Sequence, residues 1–353
     1  MSIPAAVLGR WSRFAGATPR PFGSGLINKT FLVEAGGERA VFQRLHPVFA
    51  GSVNEDIDAI TRHLEEKGLV TPRVLPTDDS ALFVDDVDSG RPWRALSYVD
   101  GESVDRIDTP PLADRDRAFA AASLVARFHA ALADLSWEYR HVRAGVHDTD
   151  KHLFTLDQAL EQHGAHRLYE PASALGAQIL EAGALLPSLA SLPLRHCHGD
   201  LKISNVLFRR GTAEALCLVD LDTLGRMSWP FEMGDALRSW CNPRGEDIDD
   251  ADVDVAVFAA AVEGYATGGG APTPEESAHL VDGLFSICVE LSARFCADAL
   301  NESYFGWDEK RFAGRGEHNL LRARGQWALA QSVARRRGEL EERVTRAFGG
   351  SRT

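Results

Sequence analysis

The sequence predicts an α+β chain with two lobes, a small β-rich lobe over residues 1–97 and a larger, mainly helical lobe over residues 98–353. The chain has 353 residues, which is more than one hydrophobic core usually serves. Short apolar runs separated by turns fill the first hundred residues, and long amphipathic helical patterns begin at about residue 112. A hinge is expected near Ser97–Gly101, where a strand-like run ends in a turn.

The N-terminal lobe begins with a hairpin and a helix. Two apolar runs, Phe31–Val33 and Ala40–Phe42, flank the turn EAGGE and predict a pair of strands. The stretch SVNEDIDAITRHLEEKG places Val53, Ile57, Ile60 and Leu64 on one helical stripe, and Gly68 is suited to cap its C-terminus. The runs ALFVDD and WRALSYVDG predict two further strands.

The C-terminal lobe is predicted from amphipathic, often Ala-rich stretches such as RDRAFAAASLVARFHAALADL. Residues Thr273–Glu276 form a capping box with proline at the first helical position, which predicts the start of a helix. The run AEALCLVDLDTL predicts a pair of strands. The five cysteines are scattered without CxxC pairs, so they are expected to be reduced core residues.

The overall charge excludes some classes of function. Acidic residues outnumber basic ones by 51 to 38, giving a formal net charge of -13. This balance argues against nucleic-acid binding, which requires basic surface to neutralise phosphates. No secretory signal pattern and no apolar run of about 18 residues is visible, so a cytoplasmic protein without a membrane segment is expected.

The stretch HCHGDLKISNVLF, residues 196–208, concentrates polar side chains between apolar flanks. Its spacing H-x-D-x-x-x-x-N provides a carboxylate that can orient an acceptor hydroxyl and take its proton, and an amide oxygen that can hold Mg²⁺. Asp200 is therefore the candidate base and acceptor-binding group, and Asn205 a candidate metal ligand. Fifteen residues later, CLVDLDTL delivers Asp220 and Asp222 at the end of an apolar run, with Asp220 as the second candidate metal ligand.

Together these stretches resemble the catalytic and metal loops of the aminoglycoside phosphotransferases, relatives of the protein kinases. The resemblance implies a two-lobed protein-kinase-like fold, ATP and Mg²⁺ as cofactors, and direct transfer of a phosphoryl group to a small-molecule acceptor. Lys202 lies within the catalytic loop, where its ammonium could neutralise charge on the transferring group.

A glycine-rich stretch upstream fits the same interpretation. FGSGLINKTFLV places Gly23, Ser24 and Gly25 before a strand, as a loop requires if its amides are to approach phosphates closely. Asn28 and Tyr98 are further candidates for the nucleotide site.

The third strand departs from the protein-kinase pattern. Protein kinases carry a lysine there, paired with a glutamate on the following helix. Here AVFQRL has Gln43 at that position and Arg44 next to it, and the period of a strand places these two side chains on opposite faces. The helix offers Asp56 at the border of its apolar stripe and Glu55 nearly opposite, so the partner of the ion pair stays open.

Further segments resemble one branch of the group, the N-acetylhexosamine 1-kinases: FGSGLINKTF, VFQRLHPVFAGSVNEDIDAITRHL, HDTDKHL, VDLDTLG, EMGDALR, RFCADALNESYF and HNLLRARGQ. This resemblance implies phosphorylation of a sugar's anomeric hydroxyl, with Arg294 and Tyr304 binding the sugar. Arg294 has an alternative partner in a structural carboxylate such as Asp235 or Asp298. Asp235 and Arg238 are expected to form an internal ion pair that supports the metal loop.

Three functions stay open on the sequence alone. The first is a sugar 1-kinase, and the second is a kinase of another small hydroxyl compound such as an aminoglycoside, choline or homoserine. The third is a nucleotide-binding regulator without transfer activity, which only Gln43 supports and which the intact Asp200, Asn205 and Asp220 oppose. The residues distinguish neither ATP from GTP nor one anomer from the other.

Overall fold

The structure is a computed structural model that describes residues 2–23, 27–105, 114–141 and 147–349. The fold is α+β, with a small antiparallel sheet and a larger helical part, as predicted. The chain divides into two compact units. Unit 1 comprises Met1–Gly101, Ala131–Arg143 and Cys217–Gly225, and unit 2 comprises Glu102–Ala130, Ala144–Leu216 and Arg226–Thr353. The predicted lobe boundary after residue 97 stays a prediction.

Unit 1 contains a five-stranded antiparallel sheet in the order β1-β2-β3-β5-β4. The strands are β1 (Arg20–Pro21), β2 (Lys29–Ala35), β3 (Glu38–Arg44), β4 (Val84–Asp85) and β5 (Pro92–Ser97). The predicted hairpin is confirmed as β2 and β3, which turn at Gly36 and Gly37, both at positive φ. Only Val84–Asp85 of the predicted strand ALFVDD is a strand.

One face of this sheet packs against the N-terminal segment. There α1 (Ala5–Leu8) and a 3₁₀ turn (Ser12–Phe14) bury Trp11 and Phe14 against Phe42. The helix α2 (Val53–Glu66) follows β3 and buries its predicted apolar stripe, and Gly68 after it has φ 80°. Both features of the predicted helix are confirmed.

Unit 2 is built around a long buried helix. The helices α3 to α11 are α3 (Asp114–Leu132), α4 (Thr149–Gln162), α5 (Tyr169–Gly183), α6 (Trp229–Trp240), α7 (Val255–Thr267), α8 (Pro274–Ala278), α9 (Leu280–Asn301), α10 (Arg315–Arg335) and α11 (Arg337–Phe348). α9 packs against α4, α5, α6 and α10. The predicted capping box is confirmed: the Thr273 hydroxyl accepts from the Glu276 amide, and the Glu276 carboxylate accepts from the Thr273 amide.

Two short sheets carry the polar loops. β6 (Leu194–Cys197) pairs with β9 (Gly225–Ser228), and β7 (Val206–Phe208) pairs with β8 (Ala215–Leu218). The strand pair predicted within AEALCLVDLDTL is wrong, because only its first half is a strand. Asp220 adopts the left-handed conformation (φ 64°, ψ 54°), which a continuing strand cannot accommodate, and a 3₁₀ turn (Leu221–Thr223) follows.

All five cysteines are free and buried, as expected for reduced core residues. Among the helices of the described ranges, none combines the length and the apolarity that a membrane-spanning segment needs.

Candidate active site

The predicted catalytic residues lie together in unit 2, in the loop that follows β6. Gly199 has φ 81°, a left-handed conformation that allows the chain to turn between His198 and Asp200. After Lys202 the chain makes a 3₁₀ turn (Ile203–Asn205) that brings Asn205 back over Asp200. Asn205 Nδ2 donates to the Asp200 carbonyl oxygen at 2.8 Å and to its carboxylate Oδ2 at 3.1 Å.

The Asp200 carboxylate is held ionised by its neighbours. Lys202 Nζ donates to Asp200 Oδ2 at 2.8 Å. Burial alone would raise the pKa of Asp200, but the charge and the hydrogen bond of Lys202, together with the charge of His198, lower it below its ordinary value. The loop therefore presents a charged carboxylate, suited to orient a hydroxyl group.

Asn205 offers an oxygen for a metal ion. Within the described part of the chain, the hydrogen bonds of its side chain leave from Nδ2, so Oδ1 is the atom offered to a ligand. A neutral amide oxygen next to a carboxylate belongs to the hard oxygen donors that Mg²⁺ and Ca²⁺ prefer.

Helix α6 holds the catalytic loop through its buried polar side chains. Glu232 is fully buried, and its two carboxylate oxygens accept from the amides of His198 at 2.7 Å and Gly199 at 3.0 Å. Further bonds in the same region run from the Leu201 amide to Asp235, from the Ile203 amide to the Ser239 hydroxyl, and from the Trp240 indole to the Leu201 carbonyl. One helix face thus fixes the backbone from residue 198 to residue 203.

The predicted ion pair between Asp235 and Arg238 is confirmed, with Arg238 Nη2 2.8 Å from Asp235 Oδ1. The other oxygen of Asp235 accepts from the Leu201 amide in the catalytic loop, and the expectation that the pair supports the metal loop stays a prediction. Glu232 was missed entirely. The available signal was a carboxylate in the first turn of the helix WPFEMGDALRSW, among the apolar residues Trp229, Phe231 and Met233.

In unit 1, the two aspartates of the predicted metal loop have different environments. Asp222 is 3 % exposed, and its oxygens bind Arg94 and Asn28. Asp220, two residues earlier, occupies the left-handed position before the 3₁₀ turn. Both oxygens of Asp222 are bound by these partners, and Asp220 stays the metal ligand predicted from the sequence.

The predicted nucleotide residues are only partly described. Gly23 has φ 76°, whereas Ser24 and Gly25 lie outside the described residues. Asn28 is buried, and its Oδ1 accepts from the His46 amide while its Nδ2 donates to Asp222. Tyr98 lies under the guanidinium of Arg39, with 4.1 Å from Cζ to the ring centroid.

The β3 register resolves how Gln43 and Arg44 are oriented. Gln43 lies opposite Arg94 of β5, and its Oε1 accepts from Arg94 Nε at 2.9 Å and Nη2 at 2.6 Å. Arg44 has the same parity as the core residue Phe42 and therefore lies on the other face. Sequence reasoning missed Arg94, which is 1 % exposed.

The carboxylates of α2 do not pair with either residue. Glu55 is exposed. Asp56 is 1 % exposed and accepts from the Trp137 indole at 2.9 Å and from the amides of Arg140 and His141, both at 2.8 Å. The lysine–glutamate pair of protein kinases is absent from this pair of elements, which the structure describes in full.

Arg294 lies in a polar cluster on α9. Its Nη1 is 3.8 Å from Glu290 Oε1, and its guanidinium lies over the ring of Phe305. Glu290, fully buried, also accepts from His147 Nδ1 at 3.1 Å and from the Thr149 hydroxyl at 2.8 Å. The structural carboxylate nearest Arg294 is therefore Glu290, rather than Asp235 or Asp298.

Asp298 instead binds the chain that follows α9. It accepts from the amides of Ser303, Tyr304 and Phe305 at 2.8–2.9 Å and from Asn319 Nδ2 at 2.9 Å. Tyr304, the second predicted sugar residue, has its backbone fixed in this way while its side chain is 49 % exposed.

A cavity of about 470 Å³ lies within unit 2 and begins at the catalytic loop. Its ionisable lining residues are five basic and three acidic side chains: Lys202, Arg238, Arg244, Arg311 and Arg322, with Asp105, Glu246 and Asp247. Asp247 Oδ1 lies 2.7 Å from Arg322 Nε and 2.9 Å from His318 Nε2. Arg294 and Tyr304 do not belong to the lining.

A comparison with known proteins identifies the family. The profile of the phosphotransferase enzyme family (APH) matches residues 18–276, about three quarters of the chain. The chain belongs to this family. Its membership supports a small-molecule phosphotransferase.

Solved structures share the fold of this phosphotransferase at low sequence identity. An aminoglycoside phosphotransferase from Alicyclobacillus acidocaldarius is 17% identical, with 97% of each chain covered and a TM-score of 0.62. A microcompartment-associated aminopropanol kinase is 18% identical, covering 97% of this chain and 98% of its own, with a TM-score of 0.57. The amicoumacin kinase hAmiN, in complex with AMP-PNP, Ca²⁺ and Ami, is 12% identical, covering 92% of this chain and 88% of its own, with a TM-score of 0.56.

Proposed function

We propose that this phosphotransferase uses ATP and Mg²⁺ to phosphorylate the anomeric hydroxyl of a sugar such as an N-acetylhexosamine. The observation that carries the proposal is the lining of the cavity next to Lys202, together with the segments that resemble N-acetylhexosamine 1-kinases. The related hAmiN structure with AMP-PNP and Ca²⁺ supports the use of ATP and a divalent cation.

The mixed charge of the cavity lining favours a neutral polyhydroxyl acceptor. An aminoglycoside carries several ammonium groups and needs a carboxylate-rich site, but here basic side chains outnumber acidic ones by five to three. A quaternary ammonium such as choline is held by aromatic rings, and the residues that line this cavity include none. Guanidinium, carboxylate and hydroxyl groups placed around one space suit the alternating donors and acceptors of a sugar.

The chemical roles follow from the hydrogen bonds of the catalytic loop. Asp200, ionised by Lys202, accepts a hydrogen bond from the acceptor hydroxyl, orients it and takes its proton. The Lys202 ammonium, at 2.8 Å from Asp200, neutralises charge that develops on the transferring phosphoryl group.

Mg²⁺, when bound, would supply positive charge to the phosphate oxygens, and Asn205 and Asp220 are the proposed metal ligands. Gly23, Ser24, Gly25, Asn28, Gln43 and Tyr98 are the proposed nucleotide residues, and Arg44 is set aside because it lies on the other face of β3. Among them, Gln43 and Asn28 act through Arg94 and Asp222, to which they are hydrogen bonded. Arg294 and Tyr304 are the proposed sugar residues outside the cavity lining.

An acceptor panel tests the proposal. Nucleotide consumption is measured with N-acetylhexosamines, hexoses, an aminoglycoside, choline and homoserine. The matched control is the methyl glycoside of the best sugar, in which the anomeric oxygen is blocked and every other hydroxyl is kept. We expect turnover with the free sugar, none with the methyl glycoside, and a product without a reducing end. Turnover with an aminoglycoside or choline and none with any sugar would refute the proposal.

A further inference from the structure

A row of polar side chains crosses three strands of the unit 1 sheet. Thr30 of β2, Gln43 of β3 and Arg94 of β5 are register partners, so their side chains share one face. Gln43 Nε2 donates to the Thr30 hydroxyl at 3.2 Å, and Gln43 Oε1 accepts twice from Arg94. The glutamine amide is thereby oriented with its oxygen toward the arginine.

Arg94 forms a buried, bidentate ion pair with the metal loop. Its Nη1 contacts Asp222 Oδ1, and its Nη2 donates to Asp222 Oδ2 at 3.0 Å. The two side chains are 1 % and 2 % exposed, and Asn54 of α2 lies 3.4 Å from Arg94 Nη1. A planar guanidinium suits such a pair because it matches both carboxylate oxygens at once.

The same carboxylate is linked to the chain just after the glycine-rich stretch. Asn28 Nδ2 donates to Asp222 Oδ2 at 2.5 Å, and Asn28 Oδ1 accepts from the His46 amide at 2.9 Å. Asp222 lies in the 3₁₀ turn that directly follows Asp220, whose left-handed backbone depends on the surrounding structure to hold it. Arg94 thus reaches both candidate nucleotide segments of unit 1 through one carboxylate.

We propose that Arg94 is a positioning residue for Mg–nucleotide binding, and that it supplies from β5 the fixed positive charge that protein kinases place on the third strand. It acts by holding Asp222, which binds Asn28 and lies in the turn that directly follows Asp220, and Gln43 orients the Arg94 guanidinium. This inference rests on the proposed function, because it assigns a role within the nucleotide site.

The test measures binding of Mg–AMP-PNP by calorimetry at several Mg²⁺ concentrations, together with the Tm of each variant. Arg94→Gln leaves Asp222 without its partner and can fail to fold, so the decisive variant is Arg94→Gln/Asp222→Asn, which removes both charges at once. Arg73→Gln is the control, because Arg73 pairs with Asp58 and Glu65 in the same unit without contacting the row.

We expect the neutral double variant to melt near the wild-type temperature and to bind Mg–AMP-PNP about 10–100-fold more weakly, the usual effect of losing a residue that orients a metal ligand. A second double variant, Gln43→Lys/Arg94→Gln, returns the charge to β3 and should recover at least part of this loss. Arg73→Gln should bind like the wild type.

Wild-type affinity in Arg94→Gln/Asp222→Asn would overturn the inference and leave the pair a purely structural one. Failure of the wild-type protein to bind Mg–AMP-PNP would instead refute the proposed function. The two failures are distinguishable because the wild type and the variant are measured side by side.

Discussion

Removing the charge of Glu232 is the most direct test of how the catalytic loop is held. Glu232 is fully buried on α6, and its two oxygens accept from the amides of His198 and Gly199. In Glu232→Gln one of these acceptors becomes an NH₂ group that faces an amide N–H. We therefore expect one charge-assisted bond to be lost and the other to become a neutral one.

The expected cost can be worked from these two bonds. A hydrogen bond to a charged group contributes about 1.5–3 kcal/mol, and a neutral bond is worth roughly half of that. The substitution should then lower the free energy of unfolding by about 2–4 kcal/mol. For a unit of this size each kcal/mol lowers the Tm by about 2–4 °C. Because the two amides directly precede Asp200, a displacement of the loop should also lower kcat about 10–100-fold.

Glu276 provides the matched control. It too is a fully buried glutamate of unit 2, and it accepts from Arg195 Nε at 2.7 Å and from the Thr273 amide at 2.6 Å, with a further contact to Arg195 Nη2. None of these partners belongs to the catalytic loop. Glu276→Gln should therefore lower the Tm by a similar amount and leave kcat unchanged.

The assay is thermal melting together with kcat and KM for nucleotide and acceptor, measured well below the lower Tm. The reasoning predicts that both variants lose stability and that only Glu232→Gln loses kcat, with the KM for nucleotide little changed. If both variants lose the same stability and both keep the wild-type kcat, the idea that Glu232 positions the loop is refuted.

The remaining predictions concern the proposed catalytic, metal-binding and sugar-binding residues. Asp200→Asn should lower turnover by roughly 10²–10⁴-fold while Mg–nucleotide affinity, measured by calorimetry, stays near wild type. The pKa of Asp200 is lowered in the folded protein, so its ionised form is lost only as the pH falls through that lowered value. In a pH profile of kcat, the midpoint of any acid limb from this group should lie below the ordinary aspartate pKa of about 3.9. Asp220→Ala should weaken both Mg-dependent nucleotide binding and turnover, and unchanged affinity with an unchanged rate would move the metal role elsewhere. Arg294→Ala should raise the KM of the sugar with little change in Tm, since Glu290 keeps its other hydrogen bonds; a parallel Tyr304→Phe with full activity toward the sugar would count against both residues as sugar ligands.

The catalytic loop could be predicted because its chemistry is local. Asp200, Lys202 and Asn205 lie within six positions, and a single 3₁₀ turn is enough to bring them together. The residue types and their spacing therefore determine most of the geometry. The same holds for the hairpin, for α2 and for the Thr273 capping box, where short-range periodicity and capping chemistry decide the structure.

The residues of α6 that hold the catalytic loop could not be predicted in this way. Glu232 lies 34 positions after His198, and nothing in a linear pattern shows which buried carboxylate will accept from which backbone amide. The strand pair predicted at 213–224 was wrong for a related reason. The left-handed Asp220 interrupts an apolar run that alternates like a strand, and nothing in the residue types of that run predicts this conformation.

Gln43 stands on β3 where protein kinases carry a lysine, but the absence of that lysine does not imply that the site lacks a positive charge. A lysine on β3 would need a carboxylate on α2, but Asp56 is already bound by the Trp137 indole and by two backbone amides. Antiparallel pairing brings β5 directly beside β3, so an arginine on β5 reaches the same face from the neighbouring position. Its partner then becomes Asp222 of the metal loop rather than a helix carboxylate. Gln43, uncharged, fits between them because its amide can donate to Thr30 and accept from Arg94 at once. On sequence grounds, Gln43 was the one feature that favoured a regulator without transfer activity. Because Arg94 on the neighbouring strand β5 offers a positive charge on the same face of the sheet, Gln43 no longer argues against phosphoryl transfer.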